Sequence, residues 1–166
     1  MPLSRRAFGS GAVGAVGALL APQHLFAIRS RPKLLLVLVA EQFRTDYLDR
    51  SQAYFSAGGF RRLLGEGAFL PDCRYLSSTF TGTGLATLMT GSWPQVHGIV
   101  ADRWFDSRAG KIVPASLDML QGTTLADETA GQKLGRVVAL GGGPNYTALL
   151  AGRAASHAIS STKPGV

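Results

Sequence analysis

The apolar positions begin as a solid block. Leu34-Leu35-Leu36-Val37-Leu38-Val39-Ala40 runs unbroken between Lys33 and Glu41, which predicts a central parallel strand covered on both faces. A polar segment, Gln42 to Arg50, follows. Beyond it Phe60, Leu63 and Leu64 share one face of a helix predicted over 58–67, with Gly67 as its C-terminal cap. Ala68-Phe69-Leu70 and Cys73 to Leu76 predict a second extended segment interrupted by Pro71. Leu85, Leu88 and Met89 are spaced for a short helix starting near Gly84. Thr123-Thr124-Leu125-Ala126-Asp127-Glu128 places a hydroxyl cap before acids in a first turn, the signature of a helix start. Arg136 to Leu140 predicts another short strand, Gly141-Gly142-Gly143-Pro144 breaks it, and Tyr146 to Arg153 predicts a last helix. Strands alternating with helices imply an α/β fold with a mainly parallel sheet flanked by helices. No internal repeat is visible, and residues 154–166 are expected to fray.

The N-terminus has a different texture. Ser4-Arg5-Arg6-Ala7-Phe8 precedes a weakly apolar, Gly/Ala-rich run from Gly9 to Ala21 and resembles a twin-arginine export signal. Residues 1–27 are therefore expected to be a leader, cleaved after Ala27, and the protein to be exported to the periplasm or beyond. The apolar run is too short for a stable membrane span, which needs about 20 residues. Gly9-Ser10-Gly11-Ala12-Val13-Gly14 satisfies G-x-G-x-x-G, yet no strand precedes it, so the dinucleotide reading fails.

Composition narrows the function classes. The 166 residues suit one domain or part of a larger one, and 46% apolar content can form a core. Seventeen basic residues against 10 acidic ones give +7. They are scattered, without basic runs or aromatic interleaving, so a nucleic-acid partner is not expected. The single cysteine, Cys73, excludes an internal disulfide and a Cys-rich zinc site, and is expected to be a small buried hydrophobe.

Candidate chemistry concentrates at two predicted strand ends, where open α/β sheets bind ligands. One is Glu41. The other is SSTFTGTGLATLMTG, residues 77–91, with five threonines and three glycines. A hydroxyl at a helix N-terminus meets free backbone N–H groups and the positive end of the dipole, which favours an incoming phosphate. Small neighbours let a substrate approach the backbone, and one threonine can serve as a nucleophile if a base or metal activates it. The alternative is that Thr79, Thr81, Thr83 and Thr87 only cap and pack.

A resemblance joins these pieces. Leu36 to Leu48, Gly58-Gly59-Phe60-Arg61-Arg62-Leu63-Leu64, Gly67-Ala68, the Thr81 loop, Thr90-Gly91, Pro94, His97-Gly98-Ile99-Val100 and Trp104-Phe105-Asp106 follow one another in an order and spacing similar to the type I phosphodiesterase/nucleotide pyrophosphatase branch of the alkaline phosphatase superfamily. The likeness covers about residues 33 to 153 and is strongest to exported alkaline phosphatases. It implies an alkaline phosphatase-like fold, a small phosphate-ester substrate, and two divalent metal ions, usually zinc, that activate a threonine or serine forming a covalent phospho-enzyme.

Carried over position by position, the resemblance makes Thr81 the nucleophile and a metal ligand. The Pro and His of the Thr-x-Pro-x-His pattern are replaced by Thr83 and Leu85, which leaves Thr83 as a second possible nucleophile. Glu41 stands where relatives carry an aspartate metal ligand. Asp102 stands at a substrate-binding position where relatives have an asparagine that donates to a phosphoryl oxygen; an aspartate there cannot donate when ionised, and could bind metal or face solvent. His97 is expected to order its loop rather than bind metal. Gly143-Pro144-Asn145 replaces a Lys-x-Arg clamp, which argues against an efficient monoesterase. The other family ligands are expected beyond Val166, so the chain corresponds to the N-terminal portion of such a domain. Cys73-Arg74-Tyr75 lacks the x-Pro-x-Arg that a sulfatase needs. The alternative within the same fold is a non-catalytic, ligand-binding paralogue.

Overall fold

The structure, a computed structural model, describes residues 32–75 and 78–161. The leader expected over 1–27 lies outside the described residues. The chain divides into two units between Ala40 and Glu41.

In the first unit the described residues, 32–40, form no helix or strand. The strand predicted over 34–40 is therefore not realised, and Leu34, Leu35, Leu36 and Leu38 are exposed. The physical reason is pairing. An all-apolar strand is stable when neighbours satisfy its backbone on both sides, and no described strand is hydrogen-bonded to this one.

The first helix of the second unit is α1 (Asp46–Arg50), inside the polar segment 42–50. Asp46 and Asp49 sit in its first turn and Arg50 in its last, the charge order the helix dipole favours. A 3-10 turn (Gln52–Tyr54) leads to α2 (Phe60–Glu66), which ends at Gly67 as predicted. Phe60 stacks on Phe43, with centroids 5.3 Å apart, and touches Phe55 at 5.1 Å. The segment expected to be extended over 68–76 forms no strand among its described residues and turns at Pro71-Asp72. Cys73, expected buried, is exposed because no strand there carries it into a core.

α3 (Thr81–Thr90) starts three residues before Gly84, so Thr81 is its first helical residue. Its buried face is Gly82, Thr83, Leu85, Ala86 and Met89, a three-and-four spacing that suits one side of a helix. It ends at Gly91, in the left-handed region, and α4 (Pro94–His97) follows, opened by a proline whose missing N–H costs nothing at a first turn. β1 (Arg103–Asp106) and β2 (Lys111–Pro114) form an antiparallel hairpin with Arg103 opposite Pro114 and Asp106 opposite Lys111. Asp106 accepts from the N–H groups of Arg108 and Ala109 and sets the turn.

α5 (Leu125–Gly131) is capped as its sequence predicts. The Thr124 hydroxyl accepts from the Asp127 N–H and the Asp127 carboxylate accepts from the Thr124 N–H, a reciprocal capping box. β3 (Val138–Gly141) pairs in parallel with β4 (His157–Ser160), and α6 (Pro144–Ala151) crosses between them. Residues 157–160, expected to fray, are thus tied into a sheet. The four residues are paired because β3 offers a free edge, a relation that local polarity does not report. The described strands form two two-stranded sheets, one antiparallel and one parallel.

The core lies where α3 and α6 pack: Ala86, Ile99, Ala115, Leu120 and Leu149 are buried together, with Trp104, Leu117 and Met119 against them. Leu140, Val138 and Ile159 on the parallel pair are exposed. A polar latch closes the far side. Asp127 accepts from the N–H groups of Arg153 (2.6 Å) and Ala154 (2.9 Å), while the Arg153 guanidinium donates to the carbonyls of Leu117, Leu120 and Gly122. Gly152 has φ +63 and a Cβ there would collide with Thr124 and Asp127, so only glycine fits the latch. No helix among the described residues is long and apolar enough to cross a membrane.

Candidate active site

The threonines of residues 77–91 separate into distinct jobs once α3 is in place. Thr81 is half-buried at the start of the helix, and its hydroxyl donates to Glu41 Oε2 at 3.2 Å. Thr83 points into the interior: it is fully buried and its hydroxyl has no partner among the described residues. A group with no accessible surface cannot meet a substrate, so the second candidate nucleophile is out of reach. Thr87 holds His97, and Thr90 donates to the Ala86 carbonyl and shares a hydrogen with Ser92.

His97 has the structural place expected of it. It is fully buried, the Ile99 N–H donates to its Nδ1 (3.1 Å), and Nε2 lies 3.0 Å from the Thr87 hydroxyl. An accepting Nδ1 leaves the proton on Nε2, so the ring is the neutral tautomer that donates to Thr87. Burial pushes its pKa below the ordinary imidazole value. Its carbonyl also accepts from Gln121, which ties α4 to the chain beyond β2.

Asp102 comes to the same end of α3 as Thr81. The Gly82 N–H donates to Asp102 Oδ1 at 2.6 Å, the short length of a charge-assisted bond. The Asp102 carbonyl is pinned in turn by the Ala115 N–H at 2.8 Å. Glycine is required at position 82 by proximity, since a Cβ would lie 2.6 Å from the Ala115 Cβ and 3.2 Å from Asp102 Oδ1. Thr81, Glu41 and Asp102 are thus brought to one place, with α3, the loop after Ala40 and the lead into β1 each supplying one.

Tyr146 is the residue that sequence reasoning missed. It stands in the first turn of α6, directly after Gly143-Pro144-Asn145. Its phenol is pushed above its ordinary pKa by burial first, then by the charge and hydrogen-bond acceptance of Asp102, then by the charge of Glu41. The neutral O–H form is therefore favoured. The only signal in the sequence was its place at the start of the last predicted helix. Tyr75, on the other flank, donates to the Gly84 carbonyl at 3.4 Å, and burial followed by the charge of Cys73 raises its pKa.

The donor set decides what could bind. Among the described residues no three His, Cys, Asp or Glu side chains converge in a way that could hold a metal ion. Glu41 and Thr81 present two oxygens on one side, which does not complete the three or four ligands zinc takes, still less two ions. The residues present do not by themselves fit a two-zinc centre. Neither Glu41 nor Asp102 is paired with a lysine or arginine among the described residues.

Comparison with known proteins gives this arrangement its setting. The family model described as Type I phosphodiesterase / nucleotide pyrophosphatase matches residues 35–151. The chain belongs to that family. It is a family of phosphoric ester hydrolases within the alkaline phosphatase superfamily. Among curated relatives, alkaline phosphatase PafA of Elizabethkingia meningoseptica is 39% identical over 89 residues, which is 53% of this chain and 16% of that enzyme. The crystal structure of wild-type PafA superposes with a TM-score of 0.74 at 30% identity, covering 78% of this chain and 29% of PafA. A PafA variant with Thr→Ser, Asn→Ala, Lys→Ala and Arg→Ala substitutions gives 0.69 at 27% identity over 72% of this chain and 28% of the variant. The α/β, alkaline phosphatase-like fold expected from sequence is the fold found. The chain spans less than a third of the length of these relatives.

Proposed function

We propose that the site serves a metal-dependent hydrolase of small phosphate esters in which Thr81 is the nucleophile and Glu41 its acceptor. The observation that carries the reading is the hydrogen bond from the Thr81 hydroxyl to Glu41 Oε2, made at the start of α3, the positive end of the helix dipole. A family setting supports it: the threonine and asparagine altered in the PafA variant have the same sequence separation as Thr81 and Asp102.

The steps that these residues can perform are limited and explicit. Thr81 Oγ attacks phosphorus as its proton passes to Glu41, and the ester oxygen leaves with the bonding electrons and takes a proton from water. The hydroxide left by that water attacks the phosphorus on Thr81, phosphate (or, from a diester, a monoester) is released, and Glu41 returns its proton to Oγ. A carboxylate is a weak base toward an alcohol, so the reading requires a cation to lower the hydroxyl's pKa. Two divalent ions, zinc, belong to the reading, to one of which Glu41 and Thr81 would contribute oxygens; the described residues hold a complete ligand set for neither. Export belongs to it as well, on the Arg5-Arg6 leader.

The test is hydrolysis of p-nitrophenyl phosphate and bis(p-nitrophenyl) phosphate by the full chain, with and without added zinc. Mass spectrometry should find one phosphoryl group on Thr81, and Thr81→Ala should abolish both turnover and label. Full activity in Thr81→Ala, or a label on another residue, overturns the assignment. A second reading, a ligand-binding paralogue without catalysis, is favoured by one observation: Asp102 already occupies the Gly82 N–H. Phosphate-ester binding without any turnover, zinc present, would establish it.

A further inference from the structure

The amide end of α3 is already occupied by the protein itself. Phe80, at the N-cap position, makes no side-chain cap, so the first-turn N–H groups of this ten-residue helix need an acceptor from elsewhere. Asp102 supplies one at 2.6 Å to Gly82, and Glu41 takes the Thr81 hydroxyl. Ala115 and the bare Cα of Gly82 form the cradle that lets the Asp102 carboxylate come this close. Two anions therefore stand where a phosphoryl group has to enter. Like charges in contact at a partly desolvated site repel strongly, and an amide that already donates to a carboxylate offers nothing to a second anion.

We propose that Asp102 is a specificity-determining residue: it acts as a built-in anion on the Gly82 amide, admits phosphoryl groups carrying at most one negative charge, and rejects doubly charged ones. Inorganic phosphate and monoester dianions are excluded by charge and by the loss of the amide. A singly charged or neutral ester meets less repulsion. Asparagine at 102 removes the charge and can turn its NH2 toward a phosphoryl oxygen. The catalytic meaning of this proposal rests on Thr81 being the nucleophile, but the exclusion itself does not.

The experiment is an amide titration of the full-length, 15N-labelled chain with inorganic phosphate at pH 8, against chloride at matched ionic strength. In the wild type the Gly82 resonance should show no saturable shift. In Asp102→Asn it should saturate, with affinity at least about tenfold higher, the worth of one charge-assisted hydrogen bond. Tyr146→Phe keeps the Asp102 charge and should be as unresponsive as the wild type. Phosphate binding at Gly82 that is equally tight in wild type and Asp102→Asn overturns the proposal, as does an Asp102→Asn chain that folds but ignores phosphate. Should Asp102→Asn fail to fold, the wild type still decides: the scalar coupling across the bond from the Gly82 nitrogen to the Asp102 carboxyl carbon should persist in excess phosphate, and its loss refutes the exclusion. Failure of the Thr81 labelling experiment leaves these readouts unaffected, so the two ideas fall separately.

Discussion

Replacing Asp127 tests whether the fold around the site is held by the polar latch. Its carboxylate accepts four hydrogen bonds, from the Thr124 N–H and hydroxyl on one oxygen and from the Arg153 and Ala154 N–H groups on the other. In a dry interior, bonds to a charged acceptor are worth about 1.5–3 kcal/mol each. This carboxylate is only half-buried, so water can replace part of the loss and about 0.5–1 kcal/mol per bond is the fairer figure. Asp127→Ala should therefore cost about 2–4 kcal/mol, a large share of the roughly 5–15 kcal/mol that holds a domain together. Asp127→Asn keeps one accepting oxygen and should cost about half as much.

The charge gives the prediction a second axis. Burial alone would raise the pKa of Asp127, but the bonds from Thr124, Arg153 and Ala154 outweigh it and hold the carboxyl below its ordinary value. A carboxyl whose folded pKa is depressed stabilises the fold above its unfolded value, near 3.9, and loses that contribution as pH falls through the folded value. Urea unfolding followed by circular dichroism should show the full gap between wild type and Asp127→Asn from about pH 5 upward, closing below about pH 4. A gap under about 0.5 kcal/mol at pH 7, or one that acid does not narrow, refutes the latch.

Two further changes probe the neighbourhood of the site. Thr83→Val replaces a buried, unpartnered hydroxyl with a methyl of the same shape and should stabilise the fold by about 1 kcal/mol in thermal unfolding while leaving Thr81 labelling intact. A loss of stability there would mean that the hydroxyl has a partner. His97 is held neutral, with its pKa lowered by burial, so its contribution is present above the ordinary value near 6.5 and is lost as pH falls below it toward the folded value. Wild type should lose stability between pH 7.5 and 5.5, and His97→Gln should respond less over that window, read by the same urea midpoints.

What the sequence made legible was local. The Thr124-to-Asp127 capping box needs only four consecutive positions, and it forms as written. α2 and α6 carry their own punctuation, Gly67 in one case and Gly143-Pro144 in the other. Pairing was not legible. The β1–β2 hairpin has no Asn-Gly or Asp-Gly at its turn, and β4 hides in a stretch with one isoleucine, so neither shows until its partner does. The run 34–40 errs in the opposite direction: its pattern demands neighbours on both sides, and a pattern cannot supply them.

The candidate site was legible for a different reason. Glu41 and Thr81 lie 40 residues apart, and no periodicity links a carboxylate after one apolar run to a hydroxyl before a helix. Family likeness joined them, and the geometry then sorted the threonine cluster by exposure. Position 81 opens the helix and reaches out. Position 83, two residues on, turns about 200° around the axis and is buried. Positions 87 and 90 spend their hydroxyls on His97 and on the Ala86 carbonyl. The crowding of small hydroxyls is therefore mostly architecture around a single accessible one, with glycine at 82 so that Asp102 can reach the backbone beside it. That closeness makes Asp102 the most informative substitution in the chain: it sits one residue from the proposed nucleophile, on the amide a phosphoryl oxygen would otherwise use, and changing one oxygen to nitrogen reverses what that position offers.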